Sequence, residues 1–193
     1  MSPVRLLLAS KSPRRRQLLA QLGFAVDFAE FDTDEHIATP LPAAEVAEHL
    51  ACRKAAACPD RLIGDDTVLV TADTVVVHDG KVMGKPADRS EAVTMLHNLS
   101  GDRHTVYTGV CLRSKSATTS FTESTEVYFR KLTDSDIDYY VDTYRPYDKA
   151  GAYGIQEWIG MIGVNRIDGC FYNVMGLPVA RLYETLSNKF LSR

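Results

Sequence analysis

The sequence contains no apolar run approaching the roughly 20 residues that a membrane span needs. Its N-terminal apolar stretch, Leu6-Leu7-Leu8-Ala9, is short and is followed at once by Lys11 and three arginines, which does not suit a secretory leader. Among the four cysteines, Cys52, Cys58, Cys111 and Cys170, there is no Cys-x-x-Cys pair, and the five histidines form no His-x-x-x-His. Neither a disulfide framework nor a structural zinc site is expected from such spacing. A basic excess is also missing: 22 basic residues face 25 acidic ones, a net charge of −3, whereas duplex-DNA binders carry a basic footprint. Twelve glycines and eight prolines are too few for a collagen-like or low-complexity chain. No G-x-x-x-x-G-K-[ST], no G-x-G-x-x-G after a strand and no G-x-S-x-G occurs, so three common site motifs have no support. What is left is a cytoplasmic, soluble chain of 193 residues, 45% hydrophobic and 24% charged. It is long enough to bury a proper core as one domain or two small lobes.

Periodicity and turn chemistry predict a mixed α/β order with antiparallel hairpins. Arg5 to Ala9 reads as a buried strand. Ser12-Pro13 starts a helix running to about Leu22, with Leu18, Leu19 and Leu22 inward and Gly23 at its end. A strand over Phe24–Phe31 and a helix over Ala43–Ala57 follow. The valine-rich run Leu69–His78 reads as a central strand, turned at Asp79-Gly80 into Lys81-Val82-Met83. Next come a helix over Ser90–Leu99, strands over Thr105–Ser114 and Phe121–Phe129, and a capping box at Thr133-x-x-Asp136. The helix behind that box carries Ile137, Tyr140, Val141 and Tyr144 as one buried stripe. Asp148–Ile155 reads as a loop, Met161–Ile167 and Cys170–Val174 as strands, and Leu177-Pro178 opens a last helix. That helix should turn Val179, Leu182, Tyr183, Leu186 and Phe190 inward.

Charge placement gives the first chemical signal. Helix N-termini favour acidic residues, yet Ser10-Lys11-Ser12-Pro13-Arg14-Arg15-Arg16 puts three arginines in the first turn. Arginine forks beside unpaired N–H groups suit phosphate oxygens, although long side chains can also splay into solvent. A second signal is Asp73, a carboxylate inside the apolar run Val68–Val77. It could be a general base, a metal ligand, or a structural carboxylate bound to backbone N–H groups. Lys54, Lys85 in Gly84-Lys85-Pro86, and Lys149 are single basic residues that are either solvated or aimed at a phosphate. Asp34-Glu35 is a carboxylate pair suited to a divalent cation or to a loop.

Taken together, Leu8-Ala9-Ser10-x-Ser12-Pro13-Arg14-Arg15, Ala72-Asp73-Thr74, Gly84-Lys85-Pro86, Ser100-Gly101-x-x-His104-x-Val106-x-Thr108-Gly109-Val110, Asp148 to Gln156 and Gly176-Leu177-Pro178 resemble the Maf family of nucleoside triphosphate pyrophosphatases. The resemblance spans about residues 6 to 186. It implies a single domain over 1–193: a mixed, elongated sheet with flanking helices and two lobes around a cleft, akin to the inosine-triphosphate pyrophosphatases. It also implies hydrolysis of a nucleoside triphosphate to the monophosphate and pyrophosphate with a divalent cation, Mg2+ or Mn2+. In that scheme Asp73 is the proton acceptor. Ser10, Arg14, Arg15, Lys54 and Lys85 hold the phosphates, and Glu35 and Asp73 hold the metal. Arg14, Thr74 and Gln156 resemble the dTTP/UTP type rather than the 7-methyl-GTP type, and Thr74 and Gln156 can both donate and accept hydrogen bonds, as a pyrimidine edge requires. A homodimer with neither nucleic-acid nor membrane partners completes the expectation. Two other outcomes stay open at this level: a non-catalytic nucleotide-binding regulator of cell division, and a purine-directed pyrophosphatase. A single-strand nucleic-acid binder is disfavoured by the net charge.

Overall fold

The computed structural model describes residues 4–31, 33, 36–37 and 40–190. Three consecutive leucines make β1 (Arg5–Ala9) a strand buried on both faces, as a parallel neighbourhood requires. It lies between β2 (Ala25–Ala29) and β3 (Thr67–His78), both parallel to it, with Leu7 opposite Asp27 on one side and Leu69 on the other. Helix α1 (Pro13–Ala20) connects β1 to β2. Its cap is Ser12, whose Oγ accepts from Arg15 N at 3.4 Å. The helix stops short of Leu22, and Gly23 at φ 80° turns the chain into β2.

Helix α2 (Ala43–Ala57) occupies the predicted range and buries Ala47, Leu50, Ala51 and Ala55. Small residues let it approach the sheet closely. Thr71 Oγ1 donates to the Ala51 carbonyl at 2.7 Å, and a Cβ on Gly109 of β5 (Arg103–Arg113) would lie 2.2 Å from Glu48 N. Beyond β3 the chain forms β4 (Lys81–Met83), antiparallel to β3 across Asp79 and Gly80, both at positive φ as such tight hairpins demand. Helix α3 (Arg89–Leu99) precedes β5, and the turn 114–117 leads into β6 (Thr118–Phe129). Helix α4 (Asp134–Tyr144) begins with the predicted capping box, Asp136 N donating to Thr133 Oγ1 at 3.1 Å and Thr133 N to Asp136 Oδ2 at 3.0 Å.

The last third departs from expectation. Met161–Ile167 is not one strand: α5 (Trp158–Gly163) takes its first half and β7 (Val164–Asp168) its second. Two glycines explain this, since a Cβ on Gly160 would meet Ile155 O at 1.9 Å and one on Gly163 would meet the Phe129 ring at 2.9 Å. Cys170–Val174 is also not a strand but the short helix α6 (Phe171–Val174). Thr125 Oγ1 accepts from Cys170 N at 3.0 Å and from buried Asn173 Nδ2 at 2.9 Å, so side chains rather than a neighbouring strand satisfy this segment. In α7 (Val179–Lys189), Leu182 and Leu186 are buried, but Tyr183 is half exposed and rests on Phe24. Tyr144 is likewise more exposed than its stripe suggests, stacking on Tyr140 at 5.1 Å. Tyrosine tolerates this because its ring is apolar and its tip is polar.

Among the described residues seven strands form one mixed sheet in the order β2-β1-β3-β5-β6-β7, with β4 on β3. The chain divides into two compact units. The first draws on 1–73, 108–123 and 176–193, the second on 74–107 and 124–175. Leu7, Ala51, Ala55, Ile63, Leu69 and Cys111 form a core in the first. The core of the second gathers Leu96, Leu99, Val127, Phe129, Ile137, Tyr140 and Ile159. No helix among the described residues is long and apolar enough to cross a membrane.

Candidate active site

In the first unit the chemistry begins where β1 ends. Ser10 Oγ accepts from Ser12 N at 3.1 Å, holding the turn that launches α1. No acidic residue stands in that helix's first turn, so the positive end of its dipole and the arginines share one place. Arg16 is neutralised locally by Glu30 at 2.6 Å and lies over the Phe28 ring. Arg15 directs Nε to a neutral acceptor, the Gly176 carbonyl, at 2.7 Å. Arg14, in the same turn, is half-buried. Arg15 and Arg16 are thus held by a backbone carbonyl and a carboxylate respectively.

The second part of this unit is set by the seating of α2 on the sheet. With Ala51 bonded to Thr71, advancing three residues along the helix moves about 4.5 Å and two along the strand about 6.6 Å. Lys54 therefore comes to Asp73, and its ammonium donates to Asp73 Oδ2. Both side chains are about four-fifths buried, at 19% and 17% exposure. A carboxylate in an apolar run needed a partner, and Lys54 is it.

In the second unit Thr74, the residue after Asp73, is half-buried. Lys85 is exposed on a backbone that its neighbours fix: Pro86 is buried, and Gly84 O accepts from Gly151 N at 3.0 Å. Gln156 is half-buried in the turn before α5. Lys149 is neither solvated nor aimed at an open face. It is 7% exposed, 2.7 Å from Asp148 and 3.2 Å from Glu157. Glu157 and the hydroxyl of Tyr140, which donates to it, were not legible as polar partners. Their one signal is a carboxylate inside the glycine-rich apolar segment 154–160.

The described residues thus bring Lys54 directly to Asp73 and keep Ser10, Arg14 and Arg15 in the same unit, while Thr74, Lys85 and Gln156 belong to the other. Asp34 and Glu35 lie outside the described residues. Magnesium and manganese take hard oxygen donors and use one or two protein carboxylates together with substrate phosphates, and Asp73 supplies a donor of that class. A different group, His78, Asp79 and Asp102, has potential ligand atoms within 4.8 Å of one another. His78 there is hydrogen-bonded to Asp102 at 3.0 Å, and none of the predicted site residues is in it. It reads as a staple on the β3–β4 turn.

Known proteins resemble this chain along most of its length. A protein named dTTP/UTP pyrophosphatase from Phocaeicola vulgatus is 49% identical over 183 residues, covering 94% of each chain. Another of that name from Porphyromonas gingivalis is 48% identical over 186 residues, 95% of this chain and 94% of its own. One from Christiangramia forsetii is 41% identical over 181 residues, 94% of this chain and 92% of its own. Among solved structures, the Staphylococcus aureus Ham1 protein superposes with a TM-score of 0.56 over 96% of this chain and 99% of its own, at 14% identity, a likeness of fold alone. The Maf-like protein family model matches residues 5–189, and with that span and those relatives the chain belongs to the Maf-like protein family.

Proposed function

We propose that this protein hydrolyses dTTP and UTP to the nucleoside monophosphate and pyrophosphate. The observation that carries the reading is the Lys54–Asp73 pair, set in the same unit as an arginine-rich helix start. Relatives of 41–49% identity that carry the dTTP/UTP pyrophosphatase name support the substrate. Asp73 accepts a proton from water as its oxygen attacks the α-phosphorus, and the bond from that phosphorus to the bridging oxygen of the β-phosphate breaks. Lys54 fixes the orientation of the carboxylate. Ser10, Arg14, Arg15, Lys54 and Lys85 hold the phosphates and meet the charge that grows on the departing pyrophosphate. Thr74 and Gln156 meet the pyrimidine edge. Asp73, with Glu35, would hold a Mg2+ or Mn2+ ion, which supplies charge neutralisation at the phosphates. A homodimer rests on the family resemblance.

The test is pyrophosphate release from a panel of triphosphates with magnesium, comparing the native protein with Asp73→Asn. We expect turnover of dTTP and UTP, and a fall in kcat of about 10²–10⁴-fold in the variant. Binding of dTTP without hydrolysis by the native protein would overturn the assignment.

A further inference from the structure

The turn that carries Gln156 is braced from another helix. Its turn is closed by Glu157 N donating to Gly154 O at 3.0 Å. Side chains close the same turn a second time: Gly154 N donates to Tyr140 Oη at 3.0 Å, and that hydroxyl donates to Glu157 Oε2. Lys149 Nζ braces the other carboxylate oxygen at 3.2 Å. Tyr140 is fully buried in the α4 stripe, where phenylalanine would satisfy the packing equally well. Its hydroxyl is the part that packing does not account for, and it costs free energy unless bonded. Gly154 links this clamp to Gln156. A Cβ there would lie 2.9 Å from Gln156 Nε2 and 2.8 Å from Glu157 Cδ, so the amide of Gln156 folds against the very peptide whose N–H Tyr140 holds.

We infer that Tyr140, acting through Gly154 and Glu157, is the positioning residue for Gln156 and thereby sets nucleobase discrimination. This rests on the reading that Gln156 meets the pyrimidine edge. An amide distinguishes a donor–acceptor edge only while its plane is held, because a rotating amide can offer oxygen or nitrogen to either base. A fixed one leaves the wrong base with unpaired polar groups, which is where polar sites gain their selectivity. Tyr140 itself touches neither base nor phosphate in this scheme. UTP and CTP make the sharpest pair of probes, since they differ in donor and acceptor at the edge and hardly in shape.

The experiment compares native protein, Tyr140→Phe and Gln156→Ala for kcat and KM on UTP and CTP, with thermal melting to verify folding. For Tyr140→Phe we expect KM for UTP to rise about five- to ten-fold with kcat within about two-fold, the size of one lost hydrogen bond. The UTP:CTP ratio of kcat/KM should fall in the same direction as in Gln156→Ala. Equal losses on both nucleotides, or a lowered Tm with native selectivity, make Tyr140 merely structural and overturn the inference. Glu157→Gln, which keeps an oxygen for the tyrosine hydroxyl, should retain selectivity that Glu157→Ala loses, and equal loss in the two counts against the clamp. If Gln156→Ala leaves selectivity native, the base-reading role of Gln156 fails first. If it abolishes selectivity while Tyr140→Phe keeps it, the positioning role alone is wrong.

Discussion

Lys54 and Asp73 define the smallest scale at which this protein can be tested. Lys54→Met retains the aliphatic stem and removes the ammonium from a mostly buried carboxylate. The loss should cost about 1–3 kcal/mol of stability and lower kcat about 10²-fold through a misoriented base. Urea denaturation and pyrophosphate release measure the two effects separately, and native values in both would remove Lys54 from the mechanism. His104 makes a different prediction. It is 2% exposed, shares a hydrogen bond with Tyr153 Oη at 2.7 Å and stacks on Phe129. Burial, with His78 nearby adding to it, pushes its pKa down from 6.5 to about 3. Above pH 6.5 the ring is neutral in both folded and unfolded chains, and its contribution to stability is complete. As pH falls below 6.5 the unfolded chain takes up a proton that the folded one refuses. Stability then declines by up to about 1.4 kcal/mol per pH unit toward the folded value. Unfolding free energies between pH 7.5 and 5 should show that slope in the native protein and a flatter one in His104→Gln.

At the scale of elements, the seating of α2 on β5 decides whether the site exists. The Cβ of an alanine at 109 would sit 2.2 Å from Glu48 N and 2.3 Å from Ala47 C, both backbone atoms that no rotamer change can move aside. Gly109→Ala should therefore lift α2, carry Lys54 away from Asp73 and destabilise the fold by about 3 kcal/mol or more. Loss of activity should accompany the loss of stability, and an active variant of native stability would show the helix to be seated otherwise. The same reasoning explains which elements were legible in sequence. Helix α2 and strands β1 and β4 follow the predicted ranges because caps, turns and local pattern agree there. Segments 161–167 and 170–174 read as strands from their apolar and aromatic content, but tertiary contacts override that preference. Glycines 160 and 163 admit a helix against Ile155 and Phe129, and Thr125 takes the N–H of Cys170.

For the whole molecule, the net charge of −3 coexists with a local concentration of arginine at one helix start. Such a distribution suits a small polyanion held at one place, whereas a polynucleotide needs a basic track along its backbone. A single-stranded DNA should show no measurable retention at physiological salt, and salt-sensitive binding would reopen the nucleic-acid reading. The sequence by itself determined the membership of the mixed α/β class, the arginine-bearing helix start and the suspicion attached to Asp73. These rest on local pattern, on dipole chemistry, and on the cost of an unpaired carboxylate among apolar residues. Only the tertiary structure decided that Lys54 is the partner of Asp73, that Lys149 is buried between Asp148 and Glu157, and that Tyr140 is a polar brace. Apart from the adjacent Asp148 and Lys149, those contacts join residues 8 to 19 positions apart. Spacing along a chain carries no such pairing. It arises when helices settle on the sheet and bring buried polar atoms of distant residues into contact.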